Sequence, residues 1–168
     1  DLADIVDALG PDDREAIYRA YLGNTRYINN WDLVDSSASR IVGPHLYNAD
    51  REPLYRLARS RDLWVRRIGV ISTFYFIRHD DFADSLAIAR LLLEDEEDLI
   101  HKAVGWMLRE VGNRDINAET GFLIQYYRRM PRTMLRYAME KYPASERPPF
   151  LKGTGTGPGE TNPLIPDQ

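Results

Sequence analysis

The sequence predicts an all-α fold made of antiparallel helix pairs. Apolar residues recur at helical spacing, segments of 10–17 residues are joined by short turns, and no segment makes a convincing strand. Short turns place successive helices side by side and antiparallel. The tryptophans at positions 31, 64 and 106 suggest a repeat of about 33–42 residues, within the range of stacked helical repeats. This periodicity leaves open whether the pairs stack into a solenoid or pack as a plain bundle.

The first two predicted helices are indicated by their N-termini. Acidic residues at the start of segment 12–22 favour a helix N-terminus, because they complement the helix dipole. Asn30 can cap a helix that begins at Trp31, and the pair Gly43 and Pro44 is expected to end that helix.

The middle of the chain predicts one short helix and two longer ones. Segment 51–60 is short, and segment 82–95 is amphipathic. Segment 63–79 has apolar residues at helical spacing, although its centre, IGVISTFYFI, is apolar enough to form a strand. Its length and the arginines near both ends favour a buried helix in which Ile68 and Ile71 face the core.

The last third of the chain predicts three more helices. Segment 98–112 is amphipathic and is expected to end at its final glycine. Asn117 can cap the next helix, which we expect to run to Met130. Pro131 suits the first turn of a last helix, PRTMLRYAMEKY, because the N–H that proline lacks would have no helical partner there.

Length and composition indicate one domain without disulfides. We assign residues 1–152 to this domain, and the Gly/Pro/Thr-rich residues 153–168 are predicted to form a flexible tail. The absence of cysteine excludes disulfides and thiolate metal sites and fits a reducing compartment. No apolar run approaches the ~20 residues of a membrane span, and the first residues lack signal-peptide features. The chain does not begin with Met, so we expect a fragment or a processed form.

Charge is distributed unevenly along a chain whose net charge is −4. Residues 26–78 carry 9 basic and 5 acidic side chains (net +4), and residues 99–141 carry 8 and 4 (net +4). Between them, residues 79–98 carry 1 basic and 8 acidic side chains (net −7). A partner responds to local potential, so the two basic blocks are compatible with nucleic-acid binding. Charge alone favours the simpler interpretation of solvated helix faces.

Two predicted helices combine tryptophan with charged residues. Lys102, Trp106 and Arg109 recur at i, i+4 and i+7, away from the apolar face of their helix. Protein surfaces that bind nucleic acid typically combine cations that contact phosphate with an aromatic ring that packs on sugar or base. A half-buried tryptophan flanked by solubilising charges is an equally good interpretation. Trp31 and Asp35 show the same i, i+4 relation.

The charged residues near Trp31 and Trp64 have ordinary interpretations as well. Asp32 lies in a first helical turn, where the helix dipole favours a carboxylate, and we assign it no further role. Asp35 lies further into the same predicted helix. It can be interpreted as an exposed surface acid, as an acid paired with an arginine, or as a functional carboxylate. One of Arg66 and Arg67 is expected to face solvent or a partner, because the isoleucines of their helix occupy the core.

Conventional metal and nucleotide sites are not indicated. His45, His79 and His101 lack metal-binding spacing, and the acidic run at 94–98 lacks the alternating oxygen ligands of a calcium loop. The motifs GxSxG, GxxxxGK and GxGxxG are absent. We therefore predict no metal and no cofactor.

Four longer strings resemble the AlkD-like DNA alkylation repair family, the helical-repeat DNA glycosylases. They are INNWDLVDSSA (28–38), LYRLARSRDLWVRRIGVISTFYFI (54–77), DSLAIARLLLEDEEDLIHKAVGWMLREVGNRD (84–115) and MPRTMLRYAMEKYP (130–143). The resemblance covers about residues 12–152 and implies HEAT-like helix pairs stacked into a curved α-solenoid whose concave, basic face cradles duplex DNA. Family members usually have further helices before the point where this chain begins, so we expect it to be truncated relative to the family.

The resemblance implies hydrolytic excision of positively charged N3- or N7-alkylated purines. Trp31, Asp35 and Trp106 match the three family positions that approach the damaged nucleotide, with the aspartate catalytic. Breaking the N-glycosidic bond develops positive charge on the deoxyribose, as in other glycoside hydrolysis. A carboxylate stabilises that charge and can orient water, and aromatic faces attract cationic character.

The candidate DNA-binding residues are Arg67, Arg109, Lys102, Arg66 and Arg40. Arg67 and Arg109 match DNA-contacting positions of the family. The resulting hypothesis is a monomeric glycosylase that acts on double-stranded DNA with alkylated bases, in the cytoplasm and, in a bacterium, on the nucleoid. The alternatives are a non-catalytic helical-repeat module that binds DNA or protein, and a plain structural bundle.

Overall fold

A computed structural model describes residues 8–145 of the chain. Within this range the fold is all-α, as predicted, and contains no strand. The α-helices in chain order are α1 (Pro11–Gly23), α2 (Trp31–Tyr47), α3 (Glu52–Ala58), α4 (Leu63–Ile77), α5 (Ala83–Leu91), α6 (Asp98–Arg114), α7 (Ile116–Tyr126) and α8 (Arg132–Ala138). Short 3-10 helices span Thr25–Tyr27 and Met139–Lys141. The predicted flexible tail at 153–168 lies outside the described residues.

The even-numbered helices pack against one another in series. α2 packs on α4, α4 on α6, and α6 on α8. The odd-numbered helices lie beside this row: α1 packs on α2, α3 and α5 pack on α4, and α7 packs on α6. Among the residues that the structure describes, no helix is both long and apolar enough to span a bilayer.

Helix α2 begins where the sequence predicts but ends later. The Asn30 side chain accepts a hydrogen bond at 2.9 Å from the N–H of the third helical residue, which is the expected cap. The predicted end at Gly43 and Pro44 is wrong, because the helix continues to Tyr47. Gly43 allows close packing on α4, since a Cβ atom there would lie 2.6 Å from the Ser72 carbonyl oxygen. Burial of the apolar side chains on either side of Pro44 outweighs the hydrogen bond that proline does not donate.

The predicted boundary between α6 and α7 is also wrong. α6 continues past Gly112, which allows the Glu119 side chain to pack where a Cβ atom would otherwise lie. Asp115, not Asn117, caps α7, because its carboxylate accepts hydrogen bonds from the N–H groups of Asn117 at 2.9 Å and of the next residue at 3.2 Å. α7 ends at Tyr126, before the predicted Met130, and a short turn follows it.

Buried aliphatic side chains connect the helices of the row. Ile68 and Ile71 of α4 are fully buried, as predicted, so this apolar segment is a core helix and not a strand. Val34 and Ala38 of α2 and Leu108 of α6 belong to the same apolar cluster. Each fully buried side chain of the size of leucine contributes roughly 1.5–3 kcal/mol to the stability of the fold.

One carboxyl group is buried between α6 and α7. Glu119 is 2% exposed, and its Oε1 atom forms no hydrogen bond with any residue in the range 8–145. Burial raises the pKa of Glu119 to about 8, and the charge of Arg109 opposes this rise. The folded protein therefore holds Glu119 as a neutral acid at neutral pH.

The close approach of α2 and α4 can be tested with a pair of glycine variants. Gly43→Ala is expected to lower the free energy of unfolding by about 1–3 kcal/mol, because the added methyl group overpacks the interface. Gly121→Ala is the matched control, because a Cβ atom at this position in α7 meets nothing within 4 Å. It should be neutral or stabilising by up to about 1 kcal/mol, since alanine favours helix over glycine. Urea unfolding measures both values, and equal effects would contradict the assignment of Gly43 to close packing.

The buried Glu119 predicts that stability falls as pH rises. Its carboxyl group loses its proton near pH 4.5 in the unfolded chain but only near pH 8 in the folded protein, so the folded state binds the extra proton between these values. This group should reduce the free energy of unfolding by up to about 1.4 kcal/mol per pH unit over that window. Urea unfolding at about pH 5 and about pH 8 should show this loss in the wild type and much less of it in Glu119→Gln. The exposed Glu96 provides a control, Glu96→Gln, which should keep the wild-type slope. The same slope in all three proteins would contradict the role of Glu119.

Candidate functional site

Side chains from α2, α4, α6 and α8 line one pocket of about 330 Å³. The lining residues are Trp31, Asp35, Arg67, Leu99, Lys102, Trp106, Arg109 and Tyr137. Six of them are sequence candidates, and they come from segments far apart in the chain. The serial packing of the even-numbered helices therefore brings these candidates together. We call this site the tryptophan pocket.

A bidentate ion pair fixes the carboxylate of the tryptophan pocket. The Arg67 guanidinium donates from Nε to Asp35 Oδ1 at 2.8 Å and from Nη2 to Asp35 Oδ2 at 2.7 Å. Its remaining nitrogen, Nη1, donates to the carbonyl oxygen of Leu99. The Arg67 side chain is 6% exposed and that of Asp35 is 19% exposed. The carboxylate is therefore held in one orientation and remains accessible from the pocket.

The two tryptophans of the pocket differ in how firmly they are held. Trp31, in the first turn of α2, is 58% exposed, a large exposure for an aromatic side chain. Trp106 is half-buried; its Nε1–H donates to Glu110 Oε1 at 2.9 Å, and its ring centroid lies 5.9 Å from that of Phe74. Trp106 thus forms a fixed wall, and Trp31 offers an open aromatic face.

Both cations of the α6 face have acidic partners. Lys102 Nζ lies 2.8 Å from Asp98 Oδ2, one helical turn earlier. This hydrogen bond raises the pKa of Lys102 and so favours its ammonium form. Arg109 pairs with Glu140 and lies 3.7 Å from Glu110 Oε1. An incoming anion would therefore bind these cations by replacing carboxylates.

The two arginines that follow Trp64 have different surroundings, and neither extends freely into solvent. Arg67 reaches the tryptophan pocket, whereas Arg66 Nε lies 2.8 Å from Asp95 Oδ2. Arg66 Nη1 also donates to the carbonyl oxygens of Ser60 at 2.9 Å and Arg61 at 3.0 Å. Arg66 thus ties the start of α4 to the acidic loop before α6, and its DNA contact stays a prediction.

The residues that line the tryptophan pocket differ from the sequence candidates at four positions. Arg40 is half-buried on α2 and, like Arg66, does not line the tryptophan pocket. Leu99 and Tyr137 line it without having been indicated by the sequence. The backbone oxygen of Leu99 also accepts a hydrogen bond from Arg67, a contact that sequence does not reveal. Tyr137 belongs to a string that matches the family, but no charge or spacing distinguished it from other tyrosines.

This arrangement offers the chemistry of a fixed carboxylate beside aromatic faces and cations. No group of three or more histidine, aspartate or glutamate side chains within residues 8–145 is placed to hold a metal ion. An oriented carboxylate can stabilise positive charge or accept a proton from water. Cations near it can bind anionic groups of the same ligand. A ligand with a cationic centre between anionic groups therefore suits the pocket.

The Asp35–Arg67 pair should be strongly coupled in stability. A double-mutant cycle with Asp35→Asn and Arg67→Met is expected to give a coupling energy of about 1–3 kcal/mol, because each single variant leaves a mostly buried polar group without its partner. The exposed pair of Asp98 and Lys102 is the control and should couple much more weakly. Urea unfolding of the variants measures both energies. A coupling no larger than that of the control pair would show that the Asp35–Arg67 contact does not support the fold.

Comparison with known families shows the family of the chain. The family model described as DNA alkylation repair enzyme matches residues 3–142. No curated protein and no solved structure matches the chain. Because the family model covers most of the sequence, the chain belongs to the DNA alkylation repair enzyme family, and the resemblance found in the sequence is confirmed. Membership supports a role in DNA repair with DNA as the substrate.

Proposed function

We propose, from this family membership, that the chain is a DNA glycosylase that hydrolyses the N-glycosidic bond of cationic N3- or N7-alkylated purines in duplex DNA. The observation that carries the proposal is the Asp35–Arg67 pair, which holds a carboxylate in a pocket that also contains Trp31 and Trp106. Pairing of the aspartate with an arginine away from any cavity would instead have favoured a purely structural role.

Asp35 is assigned the catalytic role. An alkylated purine that already carries positive charge is a good leaving group, so little acid catalysis is required. As its bond to the sugar breaks, positive charge develops on the deoxyribose, and a nearby carboxylate stabilises that charge and can orient the attacking water. The guanidinium nitrogens of Arg67 are engaged by Asp35 and Leu99, so we assign Arg67 to holding the carboxylate.

Trp31 and Trp106 are assigned to packing on the nucleotide. Their ring faces can exclude water from the sugar and attract its cationic character by about 0.5–2 kcal/mol each. The hydrogen bond from Trp106 to Glu110 fixes one ring, and the large exposure of Trp31 leaves the other face available. These two walls with one carboxylate suit a cationic sugar more than a neutral one.

The proposed enzyme is monofunctional. A glycosylase that also cleaves the DNA backbone commonly needs a neutral amine to attack the sugar. Lys102 is the lysine of the tryptophan pocket, and its hydrogen bond with Asp98 raises its pKa, which opposes formation of that neutral amine. Water oriented by Asp35 is therefore the proposed nucleophile.

Duplex DNA is proposed to lie along the row of even-numbered helices. All four helices of this row contribute to the tryptophan pocket, which supports a HEAT-like solenoid with its concave face on this side. Lys102 and Arg109 would bind phosphates near the lesion by exchanging their acidic partners for phosphate oxygens. Such contacts release counterions, so affinity should fall as salt rises.

The assignment of Asp35 predicts loss of catalysis without loss of binding. Asp35→Asn should slow base release at least about 100-fold, because a charged group aimed at the transition state is replaced by a neutral one of the same size. Single-turnover release of 7-methylguanine or 3-methyladenine from duplex DNA measures the rate, and fluorescence anisotropy with the same DNA measures affinity.

Asp32→Asn is the matched control for this experiment. Asp32 is an exposed acid on the same helix, one turn before Asp35, and it does not line the tryptophan pocket. The control should release base at the wild-type rate. Full activity in Asp35→Asn would remove Asp35 from catalysis. DNA binding without base release by the wild type would favour a non-catalytic binding module.

A further inference from the structure

We infer that a second cavity beside the tryptophan pocket is a subsite for one backbone phosphate of DNA, with the Arg136 guanidinium and the Tyr137 hydroxyl as additional contacts. The cavity has a volume of about 390 Å³, and the described residues that line it are Arg109, Arg136, Tyr137 and Glu140. It shares Arg109 and Tyr137 with the tryptophan pocket, so the two cavities adjoin. The inference rests on the proposed function, because it requires DNA to lie in the tryptophan pocket.

Arg136 is the cation of this cavity that requires no exchange of partners. It is exposed and forms no ion pair, hydrogen bond or ring contact with another described residue. Arg109, by contrast, is paired with Glu140. Arginine presents several N–H donors that match two phosphate oxygens at once. A phosphate in this cavity would therefore gain a charge-assisted contact with Arg136 without breaking an existing one.

Tyr137 is positioned between the two cavities by a close contact of α8 with α6. A Cβ atom on Gly105 of α6 would lie 2.4 Å from the Met134 carbonyl oxygen and 2.6 Å from Tyr137 Cβ. The glycine therefore allows α8 to lie directly against the helix that carries Trp106 and Arg109. Tyr137 remains 38% exposed, and its hydroxyl makes no hydrogen bond with a described residue. Tyrosine hydroxyls in such positions commonly donate to phosphate oxygens and fix the register of DNA.

Glu140 opposes an anion in the same cavity. Its side chain is 59% exposed and its carboxylate pairs with Arg109. In the free protein this carboxylate occupies the partner position that a phosphate oxygen would take. A phosphate that contacts Arg109 as well as Arg136 must displace Glu140 from Arg109, and the negative charge of Glu140 lowers the net gain in affinity. Removal of its charge should strengthen DNA binding, which is opposite to the effect of removing Arg136.

The experiment compares arginines of one helix. Arg132 is also exposed on α8, has no ion-pair partner among the described residues, and lines neither cavity. The affinities of the wild type, Arg136→Ala and the control Arg132→Ala for an undamaged duplex are measured by fluorescence anisotropy from about 50 to about 200 mM salt. Loss of one phosphate contact should make the slope of log affinity against log salt shallower by about 0.9. The wild type should thus lose about threefold more affinity than Arg136→Ala over this range.

Two further variants test the other members of the subsite. Tyr137→Phe removes only the hydroxyl and should weaken binding about two- to tenfold. Glu140→Gln should tighten binding. Circular dichroism and urea unfolding establish that each variant is folded, which is expected because these side chains are exposed.

The outcomes separate this inference from the proposed function. If the wild type binds DNA and releases alkylated base, but Arg136→Ala shows the same salt slope as Arg132→Ala, the phosphate subsite is overturned and the glycosylase stands. If the wild type does not bind duplex DNA, both fail. A shallower slope in Arg136→Ala alone, with weaker binding by Tyr137→Phe and tighter binding by Glu140→Gln, establishes the subsite.

Discussion

The ion pair between Asp35 and Arg67 links the packing of the helices to the geometry of the candidate site. A mostly buried carboxylate is costly unless it is paired and hydrogen-bonded, and Arg67 meets that need with two donors. The third nitrogen of the same guanidinium binds the Leu99 carbonyl oxygen, so one side chain joins α2, α4 and α6. The close packing at Gly43 brings α2 near enough to α4 for the pair to form. A residue of the candidate site is therefore also a structural one, and the carboxylate has little freedom to move.

The proposed DNA-binding cations belong to a chain of net charge −4, and carboxylates of the same chain neutralise two of them. Lys102 and Arg109 are held by Asp98 and Glu140 before any ligand binds. Replacing a carboxylate with a phosphate exchanges one anion for another, so each contact adds less affinity than an unpaired cation would. An unpaired cation such as Arg136 keeps its full attraction for a phosphate, because no carboxylate has to be displaced from it.

The sequence predicted the all-α class and most of the tryptophan pocket, and two of its errors in helix ends have a common cause. Helix periodicity and the Asn30 cap depend on neighbouring residues, so they could be read directly. The same holds for the tryptophan and cation spacings, whereas their convergence in one pocket was suggested by the family resemblance. Gly43 and Gly112 were interpreted as helix ends, but both are contact points for another helix, which local sequence does not reveal. Tyr137 was missed because its importance comes from its place between two cavities.

Two glycines of α6 allow its neighbouring helices to lie close to it, and this affects the spacing of the walls of the tryptophan pocket. Gly105 and Gly112 are seven residues apart, so they lie on nearly the same face of this helix. Gly105 receives the backbone of α8, and Gly112 receives the Glu119 side chain of α7. α8 and α7 are thus each held against one side of α6, at points two turns apart. A methyl group at Gly105 would clash with the backbone of α8 and so increase the separation between Trp106 on α6 and Tyr137 on α8. The aromatic geometry of the candidate site therefore depends on Gly105, which does not itself line the tryptophan pocket.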